Sequence, residues 1–432
     1  MGLHIDNSEN REIMDTRAFF TSLFQAAVAA ADPDRMIHHF LPAKPKGRTI
    51  VIGFGKAAAR MAAAFEKAWD APLEGLVVTR YGYGVSCQRV EVVEASHPVP
   101  DEAGLTASRR LIEILGGLNE NDLVVALVSG GGSALLPSPP QGMMLADEAE
   151  VNRVLLASGA PISAMNTVRK HLSGIKGGRL ALLAHPAKVI SLVVSDIPGD
   201  NPAFVASGPT VPDNGSRADA LAIVEEHGLQ LPEAALRHLH SDASSAPHPA
   251  DPRFGRNEVH VIASATRSLE AAAALARKQG IDAIILSDSM EGEACEVAGV
   301  HAAIAREIAT RDRPFRKPVL LLSGGETSVT LQNKNGRGGR NSQFQLAFAL
   351  GIEGVKDISS FAADTDGIDG SEDNAGAFAD FTTVARLRAA GCDPRRILTR
   401  NDAWKAFFTL GDLFISGPTG TNVNDLRLVL IH

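Results

Sequence analysis

The chain reads as α/β with two domains, the first built on a parallel sheet with helices on both faces and the second an α/β domain with a mixed sheet. Three observations predict this. The 432 residues exceed what one hydrophobic core usually organises. Short apolar runs alternate with helical patterns through both halves. Glycine-rich turns follow the apolar runs, as they do where a strand passes tightly into a helix.

The elements follow in order. Residues 14–31 have helical spacing, and 48–52 form a strand that enters Gly53-Phe54-Gly55-Lys56 and an alanine-rich helix reaching Trp69. Residues 75–79 read as a buried strand and 105–115 as a helix. A strand at 123–128 enters Ser129-Gly130-Gly131-Gly132-Ser133, and a strand at 189–194 ends at Ser195-Asp196. Strands alternating with helices require a parallel sheet covered on both faces. Residues 229–255 turn to Pro, Ser, His and Asp and read as the connection between domains, which places the domains at 1–245 and 256–432. Beyond it 259–263, a helix at 268–279, 283–286, a helix at 298–309 and 319–322 form the second unit. Val329 and Leu331 suggest a turn back into an antiparallel strand, hence a mixed sheet.

Composition narrows the function. A formal charge of -8 opposes a nucleic-acid or anionic-membrane partner, which would need a clustered basic face, but leaves room for a small anionic substrate. Cys87, Cys295 and Cys392 are too far apart for a C-x-x-C site, so reduced thiols in cytoplasm are expected. Residues 1–10 are polar, and no run of about 18 apolar residues exists to target or span a membrane.

Four glycine-rich loops follow apolar strands: 53–56, 129–133, Ser195-Asp196-Ile197-Pro198-Gly199-Asp200 and Ser323-Gly324-Gly325-Glu326-Thr327. Open α/β sheets bind ligands at such carboxyl ends, and glycine lets backbone N–H groups approach phosphate oxygens. A single such loop is ordinarily a tight turn. Four of them, two with carboxylates and one with a lysine, point to a phosphate and metal site. Gly53, Gly55 and Ala58 also match a dinucleotide spacing, yet Thr79 and Arg80 stand where the ribose-binding acid is expected. Arg80 could meet a 2′-phosphate, which keeps an NADP-dependent reductase open. Walker and protein-kinase motifs are absent.

Arg169, Lys170, Lys176 and Arg179 form a basic run that a solvated helix face would explain equally well. Gly338-Gly339-Arg340-Asn341 differs, because a glycine pair before an arginine at a helix start points the guanidinium into a cleft, where it can neutralise phosphoryl charge. Asp364, Asp366 and Asp369 suggest Mg²⁺ held by one or two carboxylates and by nucleotide phosphates. A calcium loop is excluded because Ala375 occupies the position of its glutamate. His97 and His171 read as structural.

These motifs resemble the glycerate 2-kinase family that carries the MOFRL domain, also named hydroxypyruvate reductase or TtuD-like. The resemblance runs from about Phe19 to Asp425 through 53–58, 96–101, 129–135, 166–179, 195–210, 323–327, 338–341, 364–370 and 417–425. It implies a Rossmann-like N-terminal domain, a C-terminal α/β domain, a catalytic cleft between them, and 2-phosphoglycerate made from D-glycerate and Mg-ATP. Lys56 and Arg340 match the family's key cations. Asp196 and Glu326 complete the expected catalytic set, Asp196 as Mg²⁺ ligand or acceptor of the glycerate proton and Glu326 as an orienting group. Gly53, Gly55, Ser129, Gly130, Gly131, Gly132, Ser133, Lys170, Gly324, Gly325 and Asn341 are the expected substrate and nucleotide contacts, and Asp196, Asp364, Asp366 and Asp369 the expected metal ligands. Gln343 stands where the family often has glutamate. A reductase using NAD(P)H, a kinase for a related acid such as erythronate, and a non-catalytic sugar-acid binder are the other readings. No nucleic-acid or membrane partner is expected; a homodimer is compatible with the sequence.

Overall fold

The computed structural model describes residues 15–333 and 336–432. The polar stretch 1–10 and Met14, where the first helix is expected to begin, lie outside the described residues.

Residues 31–264 with 420–423 form one compact unit. Its strands are β1 (Thr49–Phe54), β2 (Glu74–Arg80), β3 (Val90–Ala95), β4 (Leu123–Ser129), β5 (Lys188–Val194) and β6 (Glu258–Ala263). They lie in the order β3-β2-β1-β4-β5-β6, every neighbouring pair parallel. Every residue of β1 and β4 is buried, as a strand covered on both faces demands. Alternation sorts the side chains. Ile50, Ile52 and Phe54 join Leu111 and Leu180 on one face, while Val51 joins Met61 and Phe65 of the helix Ala58–Ala68 on the other.

Three expectations change here. Strand β3 has no long apolar run to announce it: Glu91 and Glu94 interrupt its valines, and it lies at the sheet edge, where full burial is not required. Strand β6, expected in the second domain, pairs with β5 through Ile190 and Glu258 and closes the first sheet. The segment 229–255 is not a bare connection, because it contains the helix Glu233–His240. Ala235 and Leu239 of that helix are buried with Val151, Leu155 and Leu172. Its polar face hides a short apolar stripe that composition alone averages away.

The described residues up to Ala30, with 265–419 and 424–432, form the second unit. Its strands are β7 (Asp282–Ser287), β8 (Gly292–Glu293), β9 (Val319–Ser323), β10 (Thr327–Ser328), β11 (Ile358–Asp364), β12 (Gly376–Asp380), β13 (Leu413–Phe414) and β14 (Asp425–Ile431). The main sheet runs β13-β12-β11-β14-β9-β7. Strands β7 and β9 are parallel, and the other neighbours are antiparallel. The sheet is therefore mixed, but not by the expected turn at Val329 and Leu331. Instead β10 pairs in parallel with β8, Leu331 is exposed, and the antiparallel pairs are those of β14 with β9 and β11 and of β12 with β11 and β13. Phe20 and Phe24 of the helix Thr16–Ala30 pack with Leu269 and Phe361 on one face. Ile308, Phe344 and Phe348 cover the other. Among the described residues no helix is long and apolar enough to cross a membrane, and the three cysteines are unbridged.

Candidate active site

In the first unit, strand order reverses between β1 and β4, which makes their carboxyl ends the topological switch point where open α/β sheets bind ligands. Lys56 follows β1 and the loop 129–133 follows β4. Both glycines before Lys56 are sterically required. A Cβ on Gly53 would lie 2.8 Å from Val77 Cγ1 and 2.9 Å from the Leu127 carbonyl, and Gly55 has φ 123° with Ser129 pressed against it. The turn is pinned to the neighbouring loop, since Lys56 N–H donates to Gly130 O at 2.9 Å and Ala57 N–H to Ser129 Oγ at 3.0 Å. Ser129, expected as a substrate contact, is thus buried and holds the Lys56 turn in place.

The rest of the loop gathers other expected residues. Gly130 lies directly against the Asp196 carboxylate, and Gly132 packs on Ala206. Ser133 Oγ shares a 3.0 Å hydrogen bond with Ser207, whose hydroxyl donates to Asn166 Oδ1 at 3.0 Å. The basic run is neither a solvated face nor uniformly a ligand site. Lys170 is buried in an ion pair with Asp213, 4.9 Å from the centre of the Phe204 ring, and burial lowers its pKa to about 8. Lys176 pairs with buried Glu148 at 2.7 Å, and Arg179 donates to the carbonyls of Lys170 and Ser245 at 2.7 and 2.9 Å.

His97, which the sequence reads as structural, stands beside Lys56 at the loop 129–133. A Cβ on Gly131 would lie 3.2 Å from His97 Nε2 and 3.3 Å from Lys56 Cγ. Burial, then the positive charges of Lys56 and Arg80, lower the His97 pKa to about 4, so the imidazole is neutral near pH 7. No spacing in the sequence would have singled out His97, because the three groups come from the ends of different strands.

In the second unit the cluster is centred on Arg340, the first residue of the helix Arg340–Gly351. Its Nε donates to Asp425 at 2.8 Å, one terminal nitrogen to Asp364 at 2.6 Å and the other to Glu326 at 3.1 Å. Burial works against its charge, and Asp425, Asp364 and Glu326 outweigh burial, so its pKa is raised. Burial pushes the Asp364 carboxyl up; Arg340 opposes this, and Asp366 and Asp425 reinforce it. Arg427, wholly buried in β14, pairs with the second oxygen of Asp425 and donates to Gly324 O at 3.2 Å. Gly325 has φ 104° and lies against the Met290 backbone, which fixes the loop bearing Glu326.

Asp369 commits both oxygens to the helix start. It accepts from the N–H groups of Asn341 and Ser342 at 2.9 and 2.8 Å and from Ser342 Oγ at 2.5 Å, so it holds Arg340's helix in place. Asp366 Oδ1 accepts from Ile368 N–H at 2.9 Å. Among the described residues no three His, Cys, Asp or Glu side chains are gathered so as to hold a metal ion. Asn341 Nδ2 donates to Asp425 at 2.7 Å, and its buried Oδ1 has no hydrogen-bond partner among the described residues. Gln343 is buried and donates to Leu398 O at 3.0 Å, away from these carboxylates. A glutamate could not make that bond, which gives the departure at Gln343 a packing explanation. Asp425 is the central residue that received no role from the sequence, although the motif 417–425 ends on it.

Comparison with known proteins extends this geometry. The model described as Domain of unknown function (DUF4147) matches residues 19–240, and the MOFRL family matches 319–425. A chain of Agrobacterium vitis named "Putative hydroxypyruvate reductase" is 48% identical, covering 97% of this chain and 95% of its own. The D-glycerate 2-kinase of Thermotoga maritima is 41% identical, covering 95% and 97%. The crystal structure of glycerate kinase from Thermotoga maritima superposes with a TM-score of 0.87 at 39% identity, covering 96% of this chain and 99% of that one.

Proposed function

Because the chain belongs to the DUF4147 and MOFRL family that includes D-glycerate 2-kinases, we propose that it transfers the γ-phosphoryl group of ATP to the 2-hydroxyl of D-glycerate, giving 2-phosphoglycerate and ADP. The observation that carries this reading is Lys56, set by two obligatory glycines at the switch point of a parallel sheet beside the loop 129–133. A phosphoryl group in transfer spreads charge over its oxygens, and a fixed ammonium stabilises that charge without reorganising. In this reading the first unit acts as the kinase domain and the second as the MOFRL-type domain, with Lys56 and Arg340 as their respective cations. The protein works in the cytoplasm, and a homodimer is compatible with it.

Arg340 keeps two edges on buried Asp425 and Asp364 and presents the third to exposed Glu326. An exposed pair of that kind is weak, so a phosphate oxygen can take Glu326's place. Asp196, against Gly130, accepts the hydroxyl proton of the acid as the new bond forms. Mg²⁺ would neutralise nucleotide phosphate charge, and Asp364 and Asp366 of the second unit are the carboxylates that would hold it together with nucleotide phosphate oxygens. Asp369 serves by orienting the helix that carries Arg340 and Asn341. Gly324, Gly325, Gly131, Gly132, Ser133 and Lys170 shape the surroundings of the two clusters.

The reductase reading has the name of a relative in its favour. Against its NAD-dependent form, the end of β2 offers Arg80 instead of a ribose-binding carboxylate, so the NADPH assay below is the arm that tests this reading. The deciding assay mixes the purified chain with D-glycerate and Mg-ATP and follows ADP, with enolase added alone or together with a mutase. Hydroxypyruvate with NADPH runs in parallel. Direct conversion by enolase supports 2-phosphorylation. A need for the mutase moves the phosphate to the 3-hydroxyl. NADPH oxidation without ADP release overturns the kinase. Running erythronate beside D-glycerate tests a related acid as substrate.

A further inference from the structure

We propose that Arg80 and His97 bind the carboxylate of the hydroxy-acid substrate and so position its hydroxyl, a role that rests on the kinase reading above. Arg80 ends β2, and His97 lies two residues beyond β3. With Lys56 after β1, three successive strands of the sheet edge β3-β2-β1 deliver a nitrogen-bearing group to one place. The imidazole edge and the Lys56 stem converge on one loop peptide, at 3.2 and 3.3 Å from where a Gly131 Cβ would stand.

These groups lack the partners that basic side chains have elsewhere in the unit. Arg48 pairs with Glu74 at 2.8 Å, Arg110 with Glu91 at 2.5 Å and Lys176 with Glu148 at 2.7 Å. Among the described residues, the Lys56 ammonium and the Arg80 guanidinium have no carboxylate partner. The His97 ring nitrogens have no hydrogen-bond partner, and Arg80 rests over the Tyr83 ring at 5.6 Å. Two cations without a counter-ion attract an anion. The neutral imidazole adds hydrogen bonding without a third positive charge.

The chemistry of the acceptor matches this layout. An α-hydroxy acid has its hydroxyl and carboxylate on adjacent carbons, and the loop places Asp196 against Gly130 and His97 against Gly131. The aspartate is suited to the hydroxyl. A planar guanidinium and a ring N–H are suited to the carboxylate. Lys56 is then left for the transferred phosphoryl group.

Calorimetry on the full-length chain tests the assignment without turnover, using D-glycerate and ATP as separate titrants against wild type, Arg80→Gln and His97→Asn. Arg80 is exposed, so its variant keeps the test open should His97→Asn fold poorly. The expected result is a D-glycerate Kd weakened about tenfold or more in each variant, from the loss of a charge-assisted or ring hydrogen bond. The ATP Kd should stay within about twofold, since the nucleotide makes none of the proposed contacts. The preference for D-glycerate over its uncharged amide, D-glyceramide, should shrink in both variants. An unchanged D-glycerate Kd in both variants overturns the proposal. So does weakening confined to ATP, which would assign the pair to a nucleotide phosphate. Wild type that binds D-glycerate with these losses but releases no ADP defeats the kinase reading alone, whereas wild type that binds no D-glycerate defeats this assignment.

Discussion

Arg340 and Lys56 both read from the sequence as cations for a transferring phosphoryl group, and the two units surround them differently. In the second unit Arg340 and Arg427 are interleaved with Asp364, Asp425 and Glu326, and Asp425 and Arg427 are wholly buried. In the first unit Lys56 and Arg80 have no carboxylate partner among the described residues. The difference is one of dependence. A half-buried arginine between buried carboxylates is part of the fold, because removing it strands carboxylate charges that have left water. A lysine on a glycine turn is held by its backbone, and its ammonium can be removed without leaving a charge behind. Function and stability should therefore be coupled at Arg340 and separable at Lys56.

The largest expected effect is at Arg340. Arg340→Ala should cost about 3–5 kcal/mol of stability, the cost of leaving buried carboxylates uncompensated, together with most of the turnover. Denaturant unfolding beside the ADP assay checks this, and a variant as stable as wild type would break the comparison. Lys56→Ala should lower kcat/KM by about 10²–10³-fold, the usual loss of one preorganised charge stabiliser, with no drop in the unfolding midpoint. A clear destabilisation there would show that Lys56 is structural after all. Asp369→Ala sharpens the picture on the side of the fold, since losing the acceptor at the helix start should cost about 0.5–2 kcal/mol, measured by the same unfolding curves.

The smallest effect expected concerns pH. The folded-state pKa of His97 is lowered to about 4 from 6.5, so between these values the unfolded chain binds a proton that the folded one refuses. Its contribution to stability is full above pH 6.5 and lost as pH falls towards 4. His97→Asn should flatten that part of the profile of melting temperature against pH, and an unchanged slope would argue that His97 is solvated.

Much of this was legible in the residue pattern, and the failures have physical causes. Strands β1, β2, β4 and β5 announce themselves as apolar runs because both faces of a parallel sheet are buried. The loops 53–56 and 129–133 are legible because only glycine fits where a neighbouring backbone or side chain presses against the turn. Strand β3 was missed because an edge strand tolerates Glu91 and Glu94, which break up its apolar run. The helix Glu233–His240 was missed because its apolar stripe is only two turns long. The assignment of β6 failed because a strand's sequence records how buried it is, not which sheet it joins.

By itself, then, the sequence determined the α/β class, the glycine turns after the strands, and Lys56 and Arg340 as the residues to examine. These are properties of local backbone geometry and of charge placed at the end of an apolar run. Only the tertiary structure decided that Asp369 orients a helix, that Ser129 pins the Lys56 turn, that Asp425 completes the Arg340 cluster, and that His97 stands beside Lys56. Asp425 is 85 residues from Arg340, and the His97 ring meets the loop after β4. Pairings across such separations depend on strand order and register, which no spacing along the chain encodes.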